Sequence, residues 1–158
     1  MRITLLIISL LVLLAIFLQD VKERKVYWFL FPLAAAALAW LNFQQLGMSL
    51  FAIHSAINLS IISMIMVIMF LYARLKMKRP FREVFGLGDL LFFITIAIAL
   101  PSLSFVVLFV GAILFSGLLH LVSRQQEHTV PLAGYMALFF ALCLVVNETG
   151  IFQNMYSF

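Results

Sequence analysis

Two acidic residues carry the most chemistry in this 158-residue chain. Asp20 closes the first apolar segment, and Asp89 opens a later one inside Gly86-Leu87-Gly88-Asp89. The chain has only six acidic residues, and these two fall where an apolar run meets a basic loop. Acidic groups at membrane depth are functional candidates by default. Two carboxylates facing each other at such a border are the equipment of an aspartyl-type protease, provided the two loops lie on one side. Taken singly, each has a simpler reading: Asp20 as decoration of a membrane interface, Asp89 as the N-cap of a helix. The pairing is what points to chemistry.

The residues around Asp89 fit that view. Gly86 and Gly88 lack Cβ, which predicts unusual backbone dihedrals and room for another backbone, such as an extended substrate, to approach. An aspartate that opens a helix is favoured by the free N–H groups and the macrodipole there.

The elements that must position this pair are helices in a membrane. The chain is 66% hydrophobic and 10% charged, against about 45–50% and about 25% in soluble domains. This composition predicts an all-α polytopic membrane protein with a single domain over residues 1–158. A span needs about 20 apolar residues. Six fit: Ile3–Leu18, Tyr27–Phe43 with Pro32 in its early turns, Leu50–Tyr72, Leu87–Leu100, Ser102–Val122 and Val130–Val146. Leu100-Pro101-Ser102 separates the fourth from the fifth, because proline ends a helix at the preceding residue. The fourth span is short, roughly 21 Å against about 30 Å of hydrocarbon, so it sits low or is shielded by its neighbours. Residues 44–49 are expected to form a loop. The first segment lacks a small-x-small cleavage site, and Gln19-Asp20 followed by Lys22, Glu23, Arg24 and Lys25 reads as the end of a retained helix.

Charge sets the orientation. Lys22, Arg24 and Lys25 follow span one; Arg74, Lys76, Lys78, Arg79 and Arg82 follow span three; Arg124 and His128 follow span five. The two other loops, about 44–49 and 101–104, are uncharged. Basic loops stay cytoplasmic, so both termini are predicted outside, and Asp20 and Asp89 share the cytoplasmic border. Arg2 is the one dissenting charge. The net charge of +4 resides in these loops as a topology and headgroup signal, and it does not suggest nucleic acid. The sole cysteine, Cys143, excludes an internal disulfide and a cysteine zinc site, and reads as a small buried hydrophobe. His54 and Asn58 share a helix face, toward the outer side, and are expected to make interhelical hydrogen bonds. His120 and Arg124 read as interface anchors.

At these residues the chain resembles the type IV prepilin peptidases and archaeal preflagellin peptidases, the membrane aspartyl proteases with a Gly-x-Gly-Asp motif. Asp20-Val21-Lys22-Glu23-Arg24-Lys25-Val26 is similar to the family's first motif. Gly86-Leu87-Gly88-Asp89 is similar to the second, and Pro131 to a proline before a late helix. Val26-Tyr27 stands where many relatives carry Ile-Pro, and Leu91 where many carry lysine. The resemblance implies a membrane aspartyl endopeptidase of the cytoplasmic membrane with Asp20 and Asp89 catalytic, supported by Gly86 and Gly88. No cofactor or metal is needed. Its substrate is a prepilin-like protein, a short basic leader joined to a hydrophobic helix. One carboxylate deprotonates water, and the other, protonated, polarises the scissile carbonyl. Glu23 or Glu83 could attract the leader, although loop solvation is the plainer role. The methylating segment of two-domain relatives has no counterpart, so no methyltransferase activity is expected. Two other readings remain: a non-catalytic scaffold or assembly factor of the same fold, and a transporter using both aspartates as ion ligands. The edge position of the acids disfavours the last.

Overall fold

A computed structural model describes residues 2–77, 85–122 and 131–148. Its described residues are almost entirely helical, with no strand. We number the helices α1 (Arg2–Glu23), α2 (Leu30–Tyr72), α3 (Leu87–Ala99), α4 (Ser102–Val122) and α5 (Leu132–Glu148). A π-helical turn, Ala73–Met77, extends α2.

Helix α2 contains two of the expected segments. Gly47 breaks it with φ 73° and ψ 171°, a combination essentially confined to glycine. The loop expected over residues 44–49 is therefore no loop: helix runs up to and away from a single reversing residue. The arms are Leu30–Gln44 and Leu46–Lys76. Contacts with α3 show that they run in opposite directions. In the first arm, Phe31 lies beside Gly88 and accepts a hydrogen bond from the Thr95 hydroxyl. In the second, Asn58 reaches Ala97 and Leu100 while Met66, Val67 and Phe70 lie beside Leu90. Pro32 falls in the first turn of its arm, where the missing N–H has no helical partner to lose.

Among the described residues, three helices are long and apolar enough to cross a membrane: Arg2–Glu23, Leu46–Lys76 and Ser102–Val122. The other three apolar segments, Leu30–Gln44, Leu87–Ala99 and Leu132–Asn147, are shorter. Helix α3 spans only about 20 Å at 1.5 Å per residue, and its neighbours shield it. Phe92, Phe93, Thr95, Ile96, Ala97 and Ala99 are all buried. It packs between the two arms of α2, while α1 packs chiefly on α5. One continuous core joins all five helices, from Leu13 and Ile16 through Phe31 and Ala34 to Phe92, Phe105, Met136 and Phe140. Many large apolar side chains face outward among the described residues, including Ile3, Met64, Val107 and Leu118. Cys143, expected to be buried, is half-buried.

The direction reversals bring residue 20, residues 27–31, the end of α2 and the starts of α3 and α5 to one end of the bundle. Lys22, Arg24, Lys25, Arg74 and Lys76 are at that end, and Arg2 lies at the opposite one. Lys78, Arg79, Arg82, Glu83, Arg124 and His128 lie outside the described residues. Tyr27, Trp28 and Phe29 are exposed between α1 and α2, with the first and last rings stacked 5.6 Å apart.

Candidate functional site

The two aspartates meet at the start of the last helix. Helix α1 continues past Leu18 to Glu23, so Asp20 stands on a formed helical turn and not beyond the helix end. Arg24, with φ 56°, closes that turn and donates its N–H to the Asp20 carbonyl at 3.2 Å. The Asp20 side chain points across the bundle, and Oδ2 accepts the Gly134 N–H at 2.6 Å. Asp89 is the third residue of α3, whose N-cap is Gly86 with no side-chain cap. The simpler reading of Asp89 as an N-cap therefore does not hold. Its Oδ1 accepts the Ala133 N–H at 2.8 Å, and the carboxylate also interacts with the Gly86 backbone.

Ala133 and Gly134 are consecutive, and their N–H groups belong to the first turn of α5, where no helical partner exists. Pro131, buried just before the helix, accepts the Tyr135 N–H at 3.1 Å and sets the direction of that turn. Nitrogens of adjacent residues are on the order of 3 Å apart. The two accepting oxygens are therefore held within about 8 Å of each other, given contacts of 2.6 and 2.8 Å. The two carboxylates lie within electrostatic reach of one another, and Arg24 within reach of Asp20. Both are half-buried, whereas Ala133 and Gly134 are buried. One face of the pair is thus sealed by α5 while the carboxylates keep access to solvent.

The glycines act differently from expectation. Gly86 has φ −73° and ψ 140°, ordinary extended backbone that any residue adopts. What it supplies is space: a Cβ there would lie 3.0 Å from Asp89 Oδ2. At Gly88 a Cβ would make an ordinary 3.8 Å contact with Phe31. The glycine that sequence reasoning missed is Gly134, where a Cβ would come within 2.8 Å of Asp20 Cβ and 3.0 Å of Oδ2. Its signal is the run of small residues after Pro131, Ala133-Gly134, at the start of an apolar helix.

A second polar cluster lies at the opposite end. Asn58 Nδ2 donates to the Ala97 and Leu100 carbonyls at 2.9 and 2.8 Å, and the Ser55 hydroxyl donates to Ile98 at 3.5 Å. His54 Nδ1 lies 3.0 Å from Ser102 Oγ and accepts the Ser102 N–H at 3.3 Å. These are the interhelical bonds expected of His54 and Asn58, and they tie down the Leu100-Pro101 corner. Glu23 is exposed, in keeping with solvation. No group of three or more His, Cys, Asp or Glu side chains arranged to hold a metal occurs among the described residues.

Comparison with protein-family models, curated proteins and solved structures returns no match to this chain. Any functional reading therefore rests on the geometry of the site and on the resemblance carried by the two aspartate motifs.

Proposed function

We propose that this chain is a membrane aspartyl endopeptidase of the prepilin-peptidase type, with Asp20 and Asp89 as its catalytic pair. The observation that carries the reading is the seating of two carboxylates, from helices far apart in sequence, on consecutive amides of α5. Two carboxylates that close on one attacking water favour sharing one proton. The ionised carboxylate then takes a proton from water as the water attacks the scissile carbonyl. The protonated partner hydrogen-bonds the carbonyl oxygen and stabilises the charge that develops there. Which aspartate holds the proton is a property of the pair and not of either residue.

In this reading six segments cross the cytoplasmic membrane, with both termini outside and the acidic pair at the cytoplasmic border. The clustering of Lys22, Arg24, Lys25, Arg74 and Lys76 at that end supports the orientation. The substrate is a prepilin-like protein with a short basic leader joined to a hydrophobic helix. Co-expression with candidate prepilin-like proteins should give a size shift that Asp20→Asn and Asp89→Asn each remove. Orientation is testable by single cysteines in a Cys143→Ala background. Gly47 needs its positive φ, so Met48, exposed beside it, is the better outer position. Met48→Cys should react with an impermeant reagent from outside, and Lys78→Cys should not. The opposite labelling would place the pair on the wrong side and remove the basis for cytoplasmic cleavage.

The hydrogen bonds at the site also favour a second reading. Each carboxylate already satisfies an amide that would otherwise lack a helical partner, which is a sufficient structural role for both. A non-catalytic scaffold or assembly factor of this fold would keep both acids as remote caps. Under that reading the Asn variants, whose side-chain oxygens still accept N–H bonds, would retain whatever phenotype the wild type confers.

A further inference from the structure

Helices α1 and α3, which carry the two acids, have scarcely any direct contact among the described residues. Helix α5 touches both, packing extensively on α1 and more lightly on α3. Helix α2 also packs on both, so the two backbones are placed by α2 and α5 together, and α5 is the helix that bonds the two carboxylates. Its contacts with the acids are two backbone donors one residue apart, each on a different carboxylate.

We infer that Gly134 and the Ala133 amide are positioning residues for the acid pair, an inference that rests on the proteolytic reading above. The two amides fix the roll of each carboxylate, so that the oxygens meeting water and substrate are chosen by α5. Gly134 has a second duty. It lets α1 approach until Asp20 Oδ2 is 2.6 Å from the amide. A Cβ there would meet Asp20 Cβ at 2.8 Å. That neighbour is the root of a side chain on a helix and not a flexible tip, so α1 itself must retreat. A shift of about 1 Å in a catalytic group can cost about 10²-fold in rate. Adding a methyl is not generally harmful to this fold. Gly117, in α4, has no atom within 4 Å of an added Cβ, and it serves as the matched control.

The test uses full-length protein in proteoliposomes and a reporter fusing a short Lys/Arg-rich leader to an apolar helix. Gly134→Ala should lower kcat by about 10²-fold with KM little changed, while Gly117→Ala matches wild type. Ala133→Pro is the second variant. It deletes the donor to Asp89 at an early helical position where proline is tolerated, and should also lower kcat. Helical circular dichroism and elution as a single species establish that each variant is folded. Isotope-edited infrared spectra of aspartate-labelled protein supply a readout independent of cleavage. The carboxylate band removed by Asp20→Asn should shift in Gly134→Ala and not in Gly117→Ala. The band removed by Asp89→Asn should shift in Ala133→Pro.

If wild type cleaves and Gly134→Ala cleaves equally well with unshifted bands, the positioning role is wrong and the protease reading stands. If wild type leaves the reporter and all prepilin-like proteins uncut while the bands shift as stated, the protease reading fails and the α5 contacts are structural caps alone. Unshifted bands overturn the positioning inference whether or not cleavage is seen.

Discussion

The two ends of the bundle meet the same physical demand with different chemistry. Backbone groups at helix ends lack intrahelical partners, and in apolar surroundings a missing partner is costly. At the Leu100-Pro101 end the demand is met by neutral groups. Asn58 donates to the last carbonyls of α3, and His54 Nδ1 accepts the first N–H of α4. At the opposite end, two N–H groups at the start of α5 are met by two carboxylates. A serine or asparagine would cap such amides adequately. Two acidic groups placed side by side repel, and each is partly withdrawn from water. The neutral corner thus calibrates the acidic one: holding a helix end does not require charge here, so the charge points to chemistry.

The sharpest way to break the comparison is to remove charge while keeping shape. Asp20→Asn and Asp89→Asn should each reduce cleavage by about 10²- to 10⁴-fold, the range for a lost general acid or base. Membrane abundance should stay near wild type, because Asn Oδ1 still accepts the same N–H. Size-shift assay and immunoblot read both quantities together. Near-normal processing by either variant would reduce the acidic end to another neutral-style cap. Asp20→Glu should also be poor, since its extra methylene displaces the carboxylate.

The pH dependence comes next. Cleavage by wild type should pass through a maximum. It should fall on the acid side as the second carboxyl takes up its proton and on the alkaline side as the shared proton is lost. Initial rates across a buffer series would reveal a flat profile, which would argue against an acid pair.

At the neutral end the effects should appear in stability and leave chemistry alone. Asn58→Leu leaves the Ala97 and Leu100 carbonyls without this donor and should cost about 1–3 kcal/mol. It would be read as a lower thermal midpoint in detergent with near-normal cleavage at permissive temperature. Gly47→Ala should cost about 1–3 kcal/mol from backbone strain alone, since nothing lies within 4 Å of its Cβ position. Loss of cleavage in a stably folded Asn58→Leu protein would show the two ends to be coupled.

The sequence makes the helical class and the positions of six apolar segments legible, because hydrophobic runs are set by local composition. It also marks Leu100-Pro101 as a break, since proline acts locally, and it pairs His54 with Asn58 through helical spacing. The one-residue reversal at Gly47 is hidden, because a lone glycine in an apolar run does not announce its dihedrals. Convergence of Asp20 and Asp89 on one end follows from charge alternation along the chain. Their common partner does not. A backbone amide has no letter of its own, and Ala133-Gly134 looks like any small-residue helix start until α1 is packed against it. The dihedrals of Gly86 are hidden for a related reason: glycine suggests conformational freedom, while the backbone there is ordinary and the missing Cβ leaves space beside Asp89.

The bond between Gly134 and Asp20 spans 114 residues, and this has a consequence for how the protein is made. A ribosome delivers both acids long before it delivers the amides that seat them. Throughout that interval the nascent polypeptide carries two aspartates whose carboxylates lack these amide partners. The two carboxylates are seated only when α5 threads in against the helices that carry them. If the pair is catalytic as proposed, insertion of α5 doubles as the arming step, and a chain stalled or truncated before Pro131 should leave prepilin-like substrates uncut.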